Sequence, residues 1–548
     1  MTTFAAPGPG SWELDRSHYD SAVTPVTSML MTEATEAAYR KLFETVGVPA
    51  QTVAMREVNG FVYTRVVPYF GADSSSTRVP PDWLIKLIFR LHPEMRRREQ
   101  RASEQFDGKT FKTVIEDWHR RIKPHYVERN QAFQATDPAA LDDGELADHV
   151  DSLVAYVRET YEEHHRLHGY DIGPLALLVV ACRDWGIEPG EALAALEGSS
   201  PSTVEPRRHL AAIRAEIDAA GAEPTSLDEV RAVSERAAEL LDAYLDRHGA
   251  VVFSSYDVDG PTLGERPEIV LATILHATEP VEGSASADAA VAGLEARVPA
   301  ADHAELHDLL ADAREAMDMR DDNGPVTVEW PNGLLRLGMV EAGRRLAESG
   351  RLLDVEHIFD VRPDELQPLI RSGEGPSAEA LADRRVRRLA QRDLDPPERL
   401  GPEPVDPPID AMPPSMARAL DMTLAAVAAM GMAERTQDAP LTGAGIGSEG
   451  FSGTARVALT AEDALASLEP GEILVTRATS PAFNLVLTLA GGLVTVDGGP
   501  MSHAAVLSRE LGLPAVIGVT DCLEHVNDGD VIELDPEAGT VRIVSSSG

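Results

Sequence analysis

Two cysteines, Cys182 and Cys522, are all that 548 residues contain. That excludes a disulfide framework and fits a thiol-reducing interior. Lysine occurs only at 41, 86, 109, 112 and 123, and nowhere after Lys123. None of these follows the spacing G-x-x-x-x-G-K-[ST], so a Walker A phosphate loop is excluded. A G-x-G-x-x-G turn between a strand and a helix is lacking as well. The longest apolar runs, PLALLVVAC (174–182) and LVLTLAGGLV (485–494), fall well short of the roughly 20 residues of a membrane helix. The opening MTTFAAPGPGSWELDRSHYD has no basic stretch ahead of an apolar run, so no signal peptide is expected. The expectation is a soluble, cytoplasmic protein.

Basic charge is the other deficit. Lys plus Arg totals 49 against 90 for Asp plus Glu, a formal net charge of -41. Such a surface repels phosphate backbones and anionic lipid, so neither nucleic acid nor a membrane is expected as a partner. What remains is an ordinary globular balance, 43% hydrophobic and 25% charged, which rules out a disordered chain. The length accommodates about three or four domains.

Composition changes sharply near 393–415, where DLDPPERLGPEPVDPPIDAMPPS is dense in proline and favours extended backbone. Before it, apolar residues recur at helical spacing over 144–168, 205–220, 226–247, 302–318 and 376–393. NGFVYTRVVPYF (59–70) and PVTVEWPNGLLRLG (325–338) interrupt that pattern and look like strands or turns. An alanine-rich helix is expected over 414–435, then a glycine-rich hinge, LTGAGIGSEGFSG (441–453). Beyond 450 the texture is compact α/β. Strands are expected at 454–459, 472–477, 492–496, 515–518, 530–534 and 540–544, with helices at 461–468, 481–490 and 502–511. The predicted fold is therefore α/β multidomain, with a large mainly helical domain at 1–393, a linker and connecting helix at 394–440, and an α/β domain at 441–548.

The strongest local chemistry is GGPMSHAAVLSRELGLPAVIG (498–518). A strand ends at 495–497, Gly498 and Gly499 turn the chain, and Ser502 is placed to cap a helix. His503 then falls in the first helical turn, where unpaired N–H groups and the dipole favour a phosphoryl group. An imidazole there can carry such a group covalently. On spacing alone, a histidine packed at a helix end is the commoner reading.

The run Gly498-Gly499-Pro500-Met501-Ser502-His503-Ala504-Ala505, then Ser508-Arg509-Glu510 and Gly512-Leu513-Pro514-Ala515-Val516-Ile517-Gly518, closely resembles the phosphohistidine, or swivelling, domain of enzymes related to phosphoenolpyruvate synthase and pyruvate phosphate dikinase. The upstream ILVTRATSP (473–481) looks like that family's strand and turn facing the histidine. The resemblance spans about 440–545 and implies that His503 is phosphorylated, with Ser502, Gly498, Gly499, Arg477 and Thr479 around the phosphoryl group. Met501 departs from the threonine usual in phosphoenolpyruvate users and offers no hydroxyl. In that respect the site is similar to rifampin phosphotransferases and aryl-alcohol dikinases.

Earlier segments resemble the acceptor domain of rifampin phosphotransferase-like proteins: SAVTPVTSML (21–30), NGFVYTR (59–65), DRHGAVVFSSYDVDGPTLGERPEIVLATI (246–274) and DVEHIFDVRPDELQPLI (354–370). An acceptor site needs a base, and His248 with Arg247 beside it and Asp257 nearby is the candidate cluster. A histidine simply ending its helix is the alternative. His164 and His168, spaced i, i+4 around His165, can share a helix face, although no third metal ligand is evident. The Arg-rich stretches 90–101 and 384–392 are expected as solvated helix faces paired to acids.

The resemblance carries a further implication. Family enzymes charge the histidine at an ATP-grasp domain, and this sequence shows neither its strands nor its lysines; it also stops at Gly548, before a pyruvate-binding barrel. A separate ATP-grasp subunit is therefore expected, as in phenylphosphate synthase, with ATP and Mg²⁺ handled there and no tightly bound cofactor here. The expected reaction is that of a two-component dikinase phosphorylating a phenol or similar small aromatic alcohol, with AMP and phosphate as co-products. A rifampin-type phosphotransferase component and a non-catalytic phosphocarrier are the rival readings.

Overall fold

The computed structural model describes every residue except 1–2, 16–17, 20, 76–79, 254–255, 278–284, 406–407, 430–439, 448, 480–482 and 548. By contact density the chain divides into two compact units that are not contiguous in sequence. Unit 1 comprises Met1–Asp171, Tyr256–Gly260 and Asn323–Met422; unit 2 comprises Ile172–Ser255, Pro261–Asp322 and Thr423–Gly548.

Unit 1 is built on helices around a small antiparallel sheet. Strands β1 (Trp12–Leu14), β2 (Ala50–Val58), β3 (Phe61–Pro68) and β4 (Arg399–Leu400) lie in the order β2-β3-β1-β4. Asn59 and Gly60 both take positive φ, 52° and 91°, so β2 and β3 close through the tight two-residue turn that Asn-Gly favours. Residues 59–70, expected as strands or turns, supply that turn and β3. The proline-rich stretch contributes β4 and passes over the sheet, where the Tyr63 hydroxyl donates to the Pro397 carbonyl at 2.8 Å. Helix Pro25–Val46 buries Val26, Leu30, Met31, Ala34 and Ala38, and it packs on β2 and on the long helix Asp143–Asp171.

One expectation fails here. Residues 325–338 are neither strand nor turn: a π-helical turn, Pro325–Glu329, runs straight into helix Trp330–Glu348. The β-branched Val326, Thr327 and Val328 suggest a strand, but all three are buried, and packing overrides a weak local preference. The Arg-rich stretches also differ from solvated faces. Arg98 is buried and donates to the Ala50 carbonyl at 2.8 Å, while Arg388 is buried between Asp360 (2.8 Å) and Asp259 (2.6 Å).

Unit 2 combines helices with a seven-stranded sheet. The helix expected at 226–247 is divided at Ser234, which caps Glu235–His248 as Ser226 caps Leu227–Val233. The sheet contains β5 (Ala444–Ile446), β6 (Phe451–Val457), β7 (Ile473–Thr476), β8 (Gly492–Thr495), β9 (Ala515–Ile517), β10 (Val531–Asp535) and β11 (Thr540–Ser545), in the order β11-β10-β6-β7-β8-β9-β5. β6 to β9 run parallel, and β7, β8 and β9 are buried at every position. That explains their continuous apolar runs. The mostly helical fold class with a C-terminal α/β sheet is as the sequence predicts, while the helices expected as one domain over 1–393 are shared between the two units.

The glycine-rich segment 441–453 is not an unstructured hinge, because it supplies edge strand β5, paired antiparallel to β9. A Cβ on Gly445 would lie 1.7 Å from the Pro536 carbonyl oxygen. Glycine is required there for close backbone approach. The helix expected over 414–435 is observed as Pro414–Ala429, and its remaining residues lie outside the described ones.

Candidate active site

In unit 2, parallel strands β7 and β8 end side by side and bring two loops together. The loop after β8 turns at Gly498, whose φ is +114°; a Cβ there would lie 3.0 Å from both Ile517 Cγ2 and Ser502 Oγ. Only glycine accepts that conformation and that spacing. The chain tightens again where Ser502 N donates to the Gly499 carbonyl at 2.9 Å. Ser502 is extended and caps helix His503–Leu511, its hydroxyl accepting from Ala505 N at 3.4 Å. His503 is the first residue of that helix.

The loop after β7 supplies the partner. Thr479, almost fully buried, places its Oγ1 3.0 Å from His503 Nδ1. Burial, and secondly the Arg320 guanidinium, push the His503 pKa down to about 3. The imidazole is therefore neutral across the physiological range. In the tautomer where Nδ1–H donates to Thr479, the basic ring lone pair sits on Nε2, the form a nucleophile needs. Arg477 lies 3.8 Å from Asp497 on the same rim, both half-exposed.

Arg320 was not singled out by the sequence. It sits in helix His303–Gly324, donates to the Met501 carbonyl at 2.9 Å and pairs with Asp321 at 3.0 Å. A lone arginine in the acid-rich run MDMRDDNG carries no motif, so no local signal marks it. Its effect has a definite sign: a cation beside the imidazole opposes protonation yet favours a dianionic phosphoryl group. Met501 is buried, and its N–H donates to the Ala429 carbonyl at 2.6 Å. Beside it a small cleft is lined by Leu175, Leu196, Met317, Arg320, Met501 and Arg509.

The structure brings His503, Ser502, Gly498, Gly499 and Thr479 together, with Arg477 at the rim. The other candidates are placed differently. His248 ends helix Glu235–His248, its ring 4.8 Å from Tyr244, and burial with Arg247 and His209 nearby lowers its pKa to about 4. Asp257, expected beside His248 and Arg247, is instead taken up in unit 1. Its carboxylate accepts from Thr24 N and Thr24 Oγ1, each at 2.6 Å, from Thr27 Oγ1 at 2.7 Å and from Val258 N at 2.7 Å. An oxygen pair holding four donors is fixing the capping residue Thr24 and Thr27 at the start of helix Pro25–Val46.

His164, His165 and His168 do share a face in unit 1, with rings 4.4 to 5.6 Å apart. Their Nδ1 atoms are bonded separately, to Thr327 Oγ1, the Tyr161 carbonyl and Asp171 Oδ2. Burial and neighbouring histidines hold His164 well below its usual pKa and His165 at about 3. Among the described residues no group of three or more side chains is arranged to hold a metal ion.

A capped helix with histidine at its first position, on a mainly parallel sheet beside a buried threonine, defines a class: residues 468–539 match the mobile domain of PEP-utilising enzymes. A second family profile, the rifampicin phosphotransferase fourth domain, matches residues 180–321. Over these two segments the chain is therefore similar to the mobile domain of PEP-utilising enzymes and to the rifampicin phosphotransferases. It is 28% identical over 343 residues to the rifampicin phosphotransferase of Streptomyces sviceus, covering 58% of this chain and 36% of that protein. Against the rifampicin phosphotransferase of Streptomyces sp the identity is 27% over 440 residues, 72% of this chain and 47% of that protein. A shorter match, 42% over 103 residues, is to the rifampicin phosphotransferase of Bacillus subtilis, 19% of this chain and 12% of that protein. The chain spans less than half the length of these relatives.

Proposed function

We propose that this chain is a phosphotransferase in which His503 accepts a phosphoryl group and passes it to the hydroxyl of a small aromatic acceptor held in unit 1. The observation that carries the reading is the neutral His503 imidazole at a helix N-terminus, with Nδ1 against Thr479 and a guanidinium beside it. Charging is assigned to an ATP-grasp module outside these 548 residues, on a separate subunit. There ATP, Mg²⁺ and water yield AMP and phosphate while the β-phosphoryl goes to His503. The phosphoryl group then faces the amides of the first turn of helix His503–Leu511 and the Arg320 and Arg477 guanidiniums, which balance its charge. The stretch 394–440 is the proposed swing element between charging and transfer.

A second reading keeps the same histidine chemistry and changes the acceptor. The match of residues 180–321 to the rifampicin phosphotransferase fourth domain favours a rifamycin-like hydroxyl. A panel of simple phenols set against a rifamycin separates the two.

The deciding experiment is label transfer from ATP carrying radioactive β- or γ-phosphate, in extract of the source cells, onto wild type and His503→Ala. Acid-labile label from the β position, absent in the variant, is expected. Label that persists in His503→Ala, or none from either position beside an active control dikinase, overturns the proposal.

A further inference from the structure

The acid most available for proton transfer in unit 1 is not among the residues marked by sequence. The π-helical turn Pro325–Glu329 lies within an otherwise continuous run from helix His303–Gly324 to helix Trp330–Glu348. Such turns shift the helical register and recur at functional sites. This one places Glu329 and Asn332, three residues apart, in the same buried neighbourhood. Glu329 is 5% exposed and its Oε1 has no hydrogen-bond partner; Asn332 is 1% exposed and its Oδ1 has none. The Asn332 amide is anchored by its other end, Nδ2 donating to the Tyr256 carbonyl at 2.8 Å and to the Tyr161 hydroxyl at 3.3 Å.

Two buried acceptor oxygens without donors are costly unless something brings a donor. The contrast with Asp257 is direct, because that carboxylate already accepts from four protein donors. We infer that Glu329 and Asn332 seat the acceptor hydroxyl, and that the Glu329 carboxylate takes its proton as the oxygen attacks phosphorus. The inference rests on the phosphotransferase reading above.

The step balances with the groups named. The hydroxyl O–H bond breaks and its proton goes to Glu329. The oxygen forms a bond to the phosphorus on His503, the P–N bond breaks, and its electron pair returns to the imidazole. Burial raises the Glu329 carboxyl to about 8, so the carboxylate that takes the proton is the minor form at neutral pH, and transfer should quicken as pH rises toward 8. The Tyr161 hydroxyl, held against Asn332, adds a polar group at the same spot.

The test uses the full chain with His503 charged chemically by phosphoramidate, so no second subunit is needed. Phenol is the probe, and phosphorus NMR follows both phosphohistidine and phenyl phosphate. Wild type is expected to pass its phosphoryl group to phenol. Glu329→Gln should reach the same phosphohistidine level and the same or higher melting temperature, yet transfer about 100-fold or more slowly. Asn332→Ala should raise the phenol concentration for half-maximal rate several-fold. Transfer by Glu329→Gln within about threefold of wild type overturns the base assignment alone. A wild type that is fully charged but passes nothing to phenol overturns the acceptor reading and this inference together.

Discussion

Replacing Thr479 by valine tests whether one hydroxyl sets the reactive form of His503. The substitution keeps the volume of a nearly buried side chain and removes only the group 3.0 Å from Nδ1. A neutral hydrogen bond contributes about 0.5–1.5 kcal/mol net, and a buried nitrogen deprived of a partner costs about 1–3 kcal/mol. Taking about 1–2 kcal/mol and about 1.4 kcal/mol per tenfold change predicts phosphohistidine formation slowed roughly 5- to 30-fold. Burial, the larger cause of the depressed pKa, is untouched by the change, so the imidazole stays neutral. The loss should therefore be the same at each pH between about 5 and 8. Charging by phosphoramidate, followed by phosphorus NMR at several pH values, measures this directly. A rate equal to wild type, or a loss that disappears as pH is raised, refutes the argument. The second outcome would locate the effect in protonation and not in the orientation of the ring.

Three further outcomes are expected. Gly498→Ala forces a side chain onto a φ of +114° and a 3.0 Å contact with Ile517, so β8 and β9 should lose protection from hydrogen exchange by the equivalent of about 2–4 kcal/mol. Arg388→Ala leaves the Asp259 and Asp360 carboxylates buried without their main partner and should lower stability by about 3–5 kcal/mol in urea. Arginine neighbours depress the folded pKa of Asp259, so wild type holds that stability above the unfolded value of 3.8 and loses it as acid passes the folded value. Melting curves against pH should show wild type and variant converging in acid. Glu329→Gln should do the reverse. A carboxyl at 4.5 unfolded and about 8 folded makes wild type progressively less stable as pH rises between those values. An amide escapes that loss, so the melting-temperature advantage of the variant should grow from about pH 5 to 8, and a constant difference would refute the burial argument.

The C-terminal sheet was legible because burial and sequence agree there. ILVT, GLVT and AVI are apolar throughout since β7, β8 and β9 face core on both sides, and Ser502 marks its helix start by capping it. The run 59–70 read only as strands or turns, although Asn59-Gly60 is a local signal for the hairpin found there. The π-turn at 325–329 was hidden by β-branched residues whose helical state depends on packing that no window of sequence contains. Arg320 and Glu329 were hidden more thoroughly: each is an ordinary charged residue whose importance comes from what distant segments place beside it. Asp257 shows the opposite hazard. Nine positions from His248 in sequence, it is bound instead to Thr24 and Thr27, more than 200 positions away.

The segment Tyr256–Gly260 has a consequence for how this protein can be divided or recombined. The chain passes between the two units five times, at 171–172, 255–256, 260–261, 322–323 and 422–423, and two of those crossings bracket these residues alone. Within them, Asp257 holds Thr24 and Thr27 at the start of helix Pro25–Val46 and Asp259 neutralises Arg388 and Arg392. A cassette cut along the matched boundaries 180–321 would carry that acidic clip away with it. The remaining N-terminal portion would then leave the Thr24 and Thr27 hydroxyls without their carboxylate partner and two arginines without their shared counter-charge. The segment matched at 180–321 therefore cannot be lifted out without taking residues 256–260, which belong with unit 1.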